Sequence, residues 1–387
     1  MPNKAARLNN LPPYVFAVIG DQIRAMQQSG IHVYRLDIGN PDLPPPPHVV
    51  ERLAQSASKA ETHGYTGYRG KATFRKAVAD YYQQRYGVTV DADTQVLPLL
   101  GSKEGIVNLC LAYLDQGDLA LVPSIGYPSY QMGAVLAGAD VEYAPMVPEN
   151  NFKVDLSTVA EEVLQKAKIL WVNYPNNPTG ATVELQFYEQ IYSMCQEYDI
   201  LLASDNPYND VTFDGHEAPS ALQAADDLSH IVEFVSFSKS YNMAGWRLGA
   251  AVGSAEAIDN LLSIKSNVDS GHFEPIYDAG IAALQTAPAW INERNAVYSR
   301  RRDMILNTLP EIGLSAQKTK GSLYIWARVE HGTAEAYING ALNDACVSLA
   351  PGGAYGPGGE GYVRISIGVP DEELEDALSS LKAWYNN

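Results

Sequence analysis

Apolar residues recur along this chain in two periods, and the switches between them outline its elements. Ile19, Ile23 and Met26 stand at helical spacing before a stop at Ser29-Gly30, which predicts a helix over 14–29. Val33 to Ile38 predicts a short strand running into Gly39-Asn40-Pro41, and the four prolines from Pro44 to Pro47 exclude regular structure and mark a boundary. Helices are predicted over 48–59 and 70–86. Between them lies the glycine-rich, aromatic loop Gly64-Tyr65-Thr66-Gly67-Tyr68-Arg69-Gly70.

From about residue 96 to 286, short apolar runs alternate with helical patterns. The runs are Val96 to Leu100, Leu119 to Val122, Val141 to Ala144, Ile169 to Val172, Ile200 to Ala203, Ile231 to Val235 and Leu248 to Val252. Such alternation predicts an α/β fold built on a mostly parallel seven-stranded sheet. Ligands on such sheets sit beyond the carboxyl ends of the strands. Ser102, Lys103, Tyr127, Asn177, Asp205, Tyr208 and Lys239 all follow a run in this way. After Pro288 come a long helix to about Leu309, strands over Leu323 to Val329 and Tyr362 to Ile367, and helices over 333–343 and 371–385, together a smaller α+β domain. The expected division is an N-terminal segment, residues 1–47, packing with the small domain, then a large domain over 48–287 and the small domain over 288–387. Arg300-Arg301-Arg302, on the long helix, reads as a solvated face.

The length of 387 residues agrees with two cores. A formal charge of −18 argues against nucleic acid and anionic membranes as partners, so any anion must be caught locally. Cys110, Cys195 and Cys346 match neither a disulfide framework nor a zinc spacing, which points to a reducing cytoplasm and to no metal site. The apolar run from Tyr14 to Ile19 follows Lys4 and Arg7, but Asp21 and Gln22 come next without a small-residue cleavage site. It is therefore read as helix, not as a signal peptide, and no apolar run reaches membrane-spanning length.

The stretch from Ser236 to Arg247 carries the most chemistry. Lys239, framed by Ser236 and Ser238 and followed eight residues later (247 − 239) by Arg247, can hold a phosphorylated aldehyde covalently as a Schiff base while the hydroxyls and the guanidinium bind its phosphate. Gly101-Ser102-Lys103-Glu104-Gly105, where a strand passes into a helix, offers free N–H groups to an anion, or is simply a helix cap. Asn173 to Gly180, with its two Asn-Pro-type turns, sets a side-chain amide rigidly at a strand end, or is a structural double turn. Asp205, after a fully apolar strand, calls for a cationic partner such as a ring N–H⁺, unless it only caps a helix. Arg364 in a β pattern suits a carboxylate ligand or a structural ion pair.

Taken in order, Asn-Asn-Pro-Thr-Gly, Asp-x-x-Tyr, Ser-x-Ser-Lys with its later Arg, and Val-Arg-Ile-Ser give the chain a likeness over essentially its whole length. It resembles the class I/II aminotransferases, fold-type I enzymes dependent on pyridoxal 5′-phosphate (PLP). The resemblance implies that Lys239 binds the cofactor covalently, that Asp205 partners its pyridine nitrogen, and that Asn177 and Tyr208 bond its phenolic oxygen. It further implies that Tyr127 stacks on the ring and that Ser102, the Lys103 backbone N–H, Ser236, Ser238 and Arg247 surround the phosphate. Tyr65 would reach the phosphate of a neighbouring subunit, hence a homodimer with shared sites. Arg364 would bind the substrate α-carboxylate, with Gly39 and Asn177 also contacting substrate. Amino acids and 2-oxo acids would be the substrates.

Leu100 to Gly105, Tyr241 to Arg247 and Lys265 to Gly271 are most similar to LL-diaminopimelate aminotransferases and their relatives, which points toward lysine biosynthesis with an acceptor such as 2-oxoglutarate. Alanine- and aspartate-type transamination stays open, as does a C–S β-lyase on the same fold. Arg69, near Tyr65, is read either as meeting a distal substrate carboxylate across the dimer or as an exposed loop charge.

Overall fold

The computed structural model describes residues 2–9, 11 and 15–387. Its centre is a seven-stranded sheet that runs, edge to edge, Val96–Leu99, Gly249–Gly253, Ile231–Ser236, Leu201–Asn206, Ala167–Val172, Leu119–Pro123 and Asp140–Ala144. Only Gly249–Gly253 lies antiparallel to its neighbours; the remaining pairings are parallel. Side chains alternate between the faces. Leu121, Leu170, Leu202 and Val235 enter the core on one side, while Ala120, Ile169, Ala203 and Phe234 enter that on the other. Because both faces are covered, the inner strands are buried along nearly all their length, which is why they were legible as short runs; the edge strand Asp140–Ala144 instead alternates, with Asp140 and Glu142 exposed.

The strand Leu201–Asn206 extends further than its apolar run. Asp205, expected just beyond the strand, is its penultimate residue and pairs in register with Phe234. The ladder therefore fixes its backbone, and a buried carboxylate is built into the sheet itself.

In the small domain, Tyr362–Ser366 is paired antiparallel on both sides, with Tyr324–Val329 and with Ala350–Pro351; Leu314–Ser315 completes a four-stranded sheet. The helices Ala334–Asn343 and Asp371–Tyr385 fall where their apolar spacing predicts. The predicted strand from Val33 to Ile38 shrinks to Tyr34–Arg35, parallel to Val347–Ser348. The N-terminal helix begins at Val15 and ends before Gly30, which takes the positive φ of 83° that the stop requires; Tyr14 lies outside the described residues. Its Ile23 packs with Val33 and Leu342.

The arginine triplet of the long helix Pro288–Thr308 corrects the sequence reading. Arg301 and Arg302 are buried, not solvated. Arg301 pairs with Asp42 and Asp371, and Arg302 with Asp214 and the Thr319 carbonyl. Three consecutive helical positions span about 200°, so a run of like residues cannot all face water when the helix is packed on both sides. No helix among the described residues is long and apolar enough to cross a membrane.

Candidate active site

The carboxyl ends of the strands, the N-terminal segment and the small-domain sheet enclose a cavity of about 370 Å³. Its wall includes Gly39, Ser102, Lys103, Tyr127, Asn177, Asp205, Tyr208, Ser236, Ser238, Lys239, Arg247 and Arg364. These residues, read from separate motifs, thus meet in one place. Tyr65 does not: it is 91% exposed and off this wall. Arg69 is tied within its own chain, donating to the Asp93 carbonyl at 2.7 Å and to Asp259 at 3.0 Å.

One wall is an anion cradle. The helix Ser102–Tyr113 starts at Gly101, whose φ of 83° lies in a region essentially reserved for glycine. A side chain there would run into Arg247, which donates from Nη1 to the Ala244 carbonyl at 3.0 Å. Ser236 caps the short helix Phe237–Ser240, its hydroxyl accepting from the Ser238 N–H. The N–H groups of Ser102 and Lys103 at the helix start, two serine hydroxyls and a guanidinium are the donor set a phosphate dianion needs.

Opposite stands Asp205, 4% exposed. Its Oδ2 accepts from the Tyr130 hydroxyl at 2.7 Å, while Oδ1 is buried with no hydrogen-bond partner among the described residues. Burial pushes this carboxyl up to about 7, against the Tyr130 hydrogen bond and with help from the Glu233 charge. The cationic partner expected from the sequence is no side chain among the described residues, so Oδ1 is poised for a cation supplied from within the cavity.

Lys239 donates to the Gly39 carbonyl, and its own carbonyl accepts from Arg294 at 3.0 Å. Burial lowers the pKa of its amine; Tyr324 opposes this, and the charges of Arg364 and Arg247 reinforce it. A lowered pKa favours the neutral amine, the form that is nucleophilic toward carbonyls. The Asn173–Gly180 turn is pinned by its own amides: Asn173 donates to the Asp205 carbonyl at 2.6 Å and accepts from the Asn177 N–H at 2.7 Å.

Among the described residues Arg364 forms no salt bridge with a carboxylate. Its Nη1 donates to Asn177 Oδ1 at 3.0 Å and its Nη2 to the Asp37 carbonyl at 2.6 Å, while Nε is buried without a partner. The guanidinium lies 4.0 Å from the Tyr324 ring centroid and 5.0 Å from that of Tyr355. A structural ion pair is thereby excluded among the described residues, and the unused donors await an external anion. Tyr324, which the sequence reading missed, also lies 2.9 Å through its hydroxyl from that of Tyr208. Burial acts to raise the Tyr324 pKa, but Arg364 and Lys239 outweigh it and hold the phenol below its ordinary value. Tyr130 and Arg294 were likewise missed, and Asn173 was read only as the start of its turn; each acts on a recognised residue through a contact that no sequence spacing reveals.

The profile described as "Aminotransferase class I and II" matches residues 31–381. The chain belongs to this family. It is a PLP-dependent transaminase of fold type I, with amino acids and oxo acids as substrates. This aminotransferase is 44% identical to the LL-diaminopimelate aminotransferase of Dehalococcoides mccartyi over 97% of each chain. It is 42% identical to that of Moorella thermoacetica over 98% of this chain and 97% of the other. The apo-BacF structure from Bacillus subtilis superposes with a TM-score of 0.95 at 34% identity, covering 100% of this chain and 99% of that one. The orphaned Asp205 oxygen, the anion cradle and the softened Lys239 amine fit the pyridine nitrogen, phosphate and aldehyde of PLP.

Proposed function

We propose that this aminotransferase takes the amino group from LL-diaminopimelate and gives it to a 2-oxo acid such as 2-oxoglutarate, as a step of lysine biosynthesis in the cytoplasm. The observation that carries this reading is the 44% identity, over 97% of both chains, to an LL-diaminopimelate aminotransferase.

In this reading Ser102, the Lys103 N–H, Ser236, Ser238 and Arg247 hold the cofactor phosphate, Tyr127 stacks on its ring, and Asn177 and Tyr208 bond its phenolic oxygen. PLP, when bound, supplies an electron sink for the pair left at the substrate Cα. Asp205 Oδ1 holds the proton on the pyridine nitrogen, because burial leaves the carboxylate no other cation. Arg364 would grip the α-carboxylate and so orient the substrate Cα, with the Gly39 backbone as a further substrate contact. Lys239 would take the proton from the substrate Cα at Nζ and hold it there, a task for an amine of lowered pKa. Tyr65, exposed on its own chain, serves the phosphate of a partner's site in a homodimer.

A donor panel with 2-oxoglutarate as acceptor tests the substrate. LL-diaminopimelate is expected to give the highest kcat/KM; a larger value with alanine or aspartate would overturn the assignment. Release of ammonia and pyruvate from cysteine-like substrates without an acceptor would instead point to a C–S lyase.

A further inference from the structure

Arg35 and Asp37 form an ion pair on the cavity wall that none of the roles above uses. The pair is a fork, with Nε to Oδ1 at 2.7 Å and Nη2 to Oδ2 at 2.8 Å. Both side chains leave the same side of an extended segment, while Leu36 between them is buried in the small-domain core. Asp37 is 5% exposed and Arg35 about a third, so the carboxylate lies inside and the guanidinium opens outward. The Asp37 carbonyl also receives Arg364 Nη2, which puts the pair beside the α-carboxylate site.

The remaining charges on the wall decide what this pair is for. Asp205, Lys239, Arg247 and Arg364 are engaged by cofactor and α-carboxylate in the proposed reading, and the Lys103 ammonium lies 5.9 Å from the Tyr127 ring centroid. What is left for the far end of a substrate, on this chain's own part of the wall, is one cation and one anion side by side. A singly charged anionic end gains Arg35 only in competition with Asp37. A far end carrying both ammonium and carboxylate matches both partners, the ammonium on Asp37 and the carboxylate on Arg35 Nη1, which has no hydrogen-bond partner among the described residues. Complementarity of this kind discriminates by leaving charges unpaired in the wrong complex.

We infer that the Arg35–Asp37 pair is the specificity subsite for the distal ammonium and carboxylate of a diamino dicarboxylate donor. The inference rests on the LL-diaminopimelate reading. Its test is kcat/KM with LL-diaminopimelate and with alanine, for wild type, Asp37→Asn and Arg35→Gln, with 2-oxoglutarate as acceptor and the absorbance of bound cofactor recorded for each. Each variant is expected to lose roughly 10- to 100-fold with LL-diaminopimelate, at least tenfold more than with alanine, while retaining the cofactor band. Equal losses with both donors, or none, would overturn the subsite. A wild-type enzyme inactive with LL-diaminopimelate would instead overturn the substrate reading beneath it.

Discussion

The Tyr130 hydroxyl lies 2.7 Å from Asp205 Oδ2, and the other carboxylate oxygen is left buried without a partner. This half-satisfied carboxylate has a consequence for the apoprotein. Its pKa rises from an ordinary 3.8 to about 7, so the folded chain keeps a proton that the unfolded chain releases. The associated stability is present below about pH 4 and lost as pH rises through about 7. Asp205→Asn lacks this loss. Urea unfolding of the apoproteins should show the variant gaining on wild type between about pH 5 and about pH 8, by on the order of 1–3 kcal/mol. A gap that does not widen with pH would contradict the raised pKa.

Arg364 should resist replacement by lysine. Its two Nη atoms are committed to Asn177 and the Asp37 carbonyl, and the plane of the guanidinium lies against Tyr324. An ammonium cannot keep these contacts and also grip a carboxylate. For Arg364→Lys, steady-state kinetics should show kcat/KM falling by roughly 10- to 100-fold for every amino donor tested. Unaltered kcat/KM would remove Arg364 from the substrate site.

Gly101→Ala tests the anion cradle. The added Cβ would approach Arg247 Cζ to 2.9 Å, at a backbone conformation that disfavours any side chain. Arg247 must then withdraw. Loss of one charged hydrogen bond predicts a PLP dissociation constant higher by roughly 10-fold or more, readable by equilibrium dialysis. Unchanged affinity would mean that Arg247 does not hold the phosphate.

Within the arginine triplet, burial separates residues that composition treats alike. Arg302→Ala removes bonds to Asp214 and the Thr319 carbonyl and empties a fully buried site, and should lower unfolding free energy by about 2–4 kcal/mol. Arg300, half-exposed beside Asp371, should lose under about 1 kcal/mol on the same change. Denaturant midpoints of the two variants check the contrast.

The inner strands of the central sheet were legible because a sheet covered on both faces needs apolar runs, and such runs are local in sequence. Lys239, Asp205 and Asn177 were legible for a related reason: each ends a run, and parallel strands bring such ends to one edge. The strand at Val33 to Ile38 was overcalled in length because only Tyr34 and Arg35 find a ladder partner, and that partner lies beyond residue 340.

By itself, then, the sequence determined the layered α/β core and the residues at its carboxyl edge, since period and order along the chain dictate both. Only the tertiary structure decided that Asn177 and Arg364, 187 residues apart, share a hydrogen bond. It alone decided too that Tyr130 takes one oxygen of Asp205, that Tyr324 lies against Arg364, and that Arg301 and Arg302 are buried while Arg300 is not. These are contacts between side chains from separate elements, set by how sheet, helix and small domain pack, and packing leaves no period in the chain from which to read them.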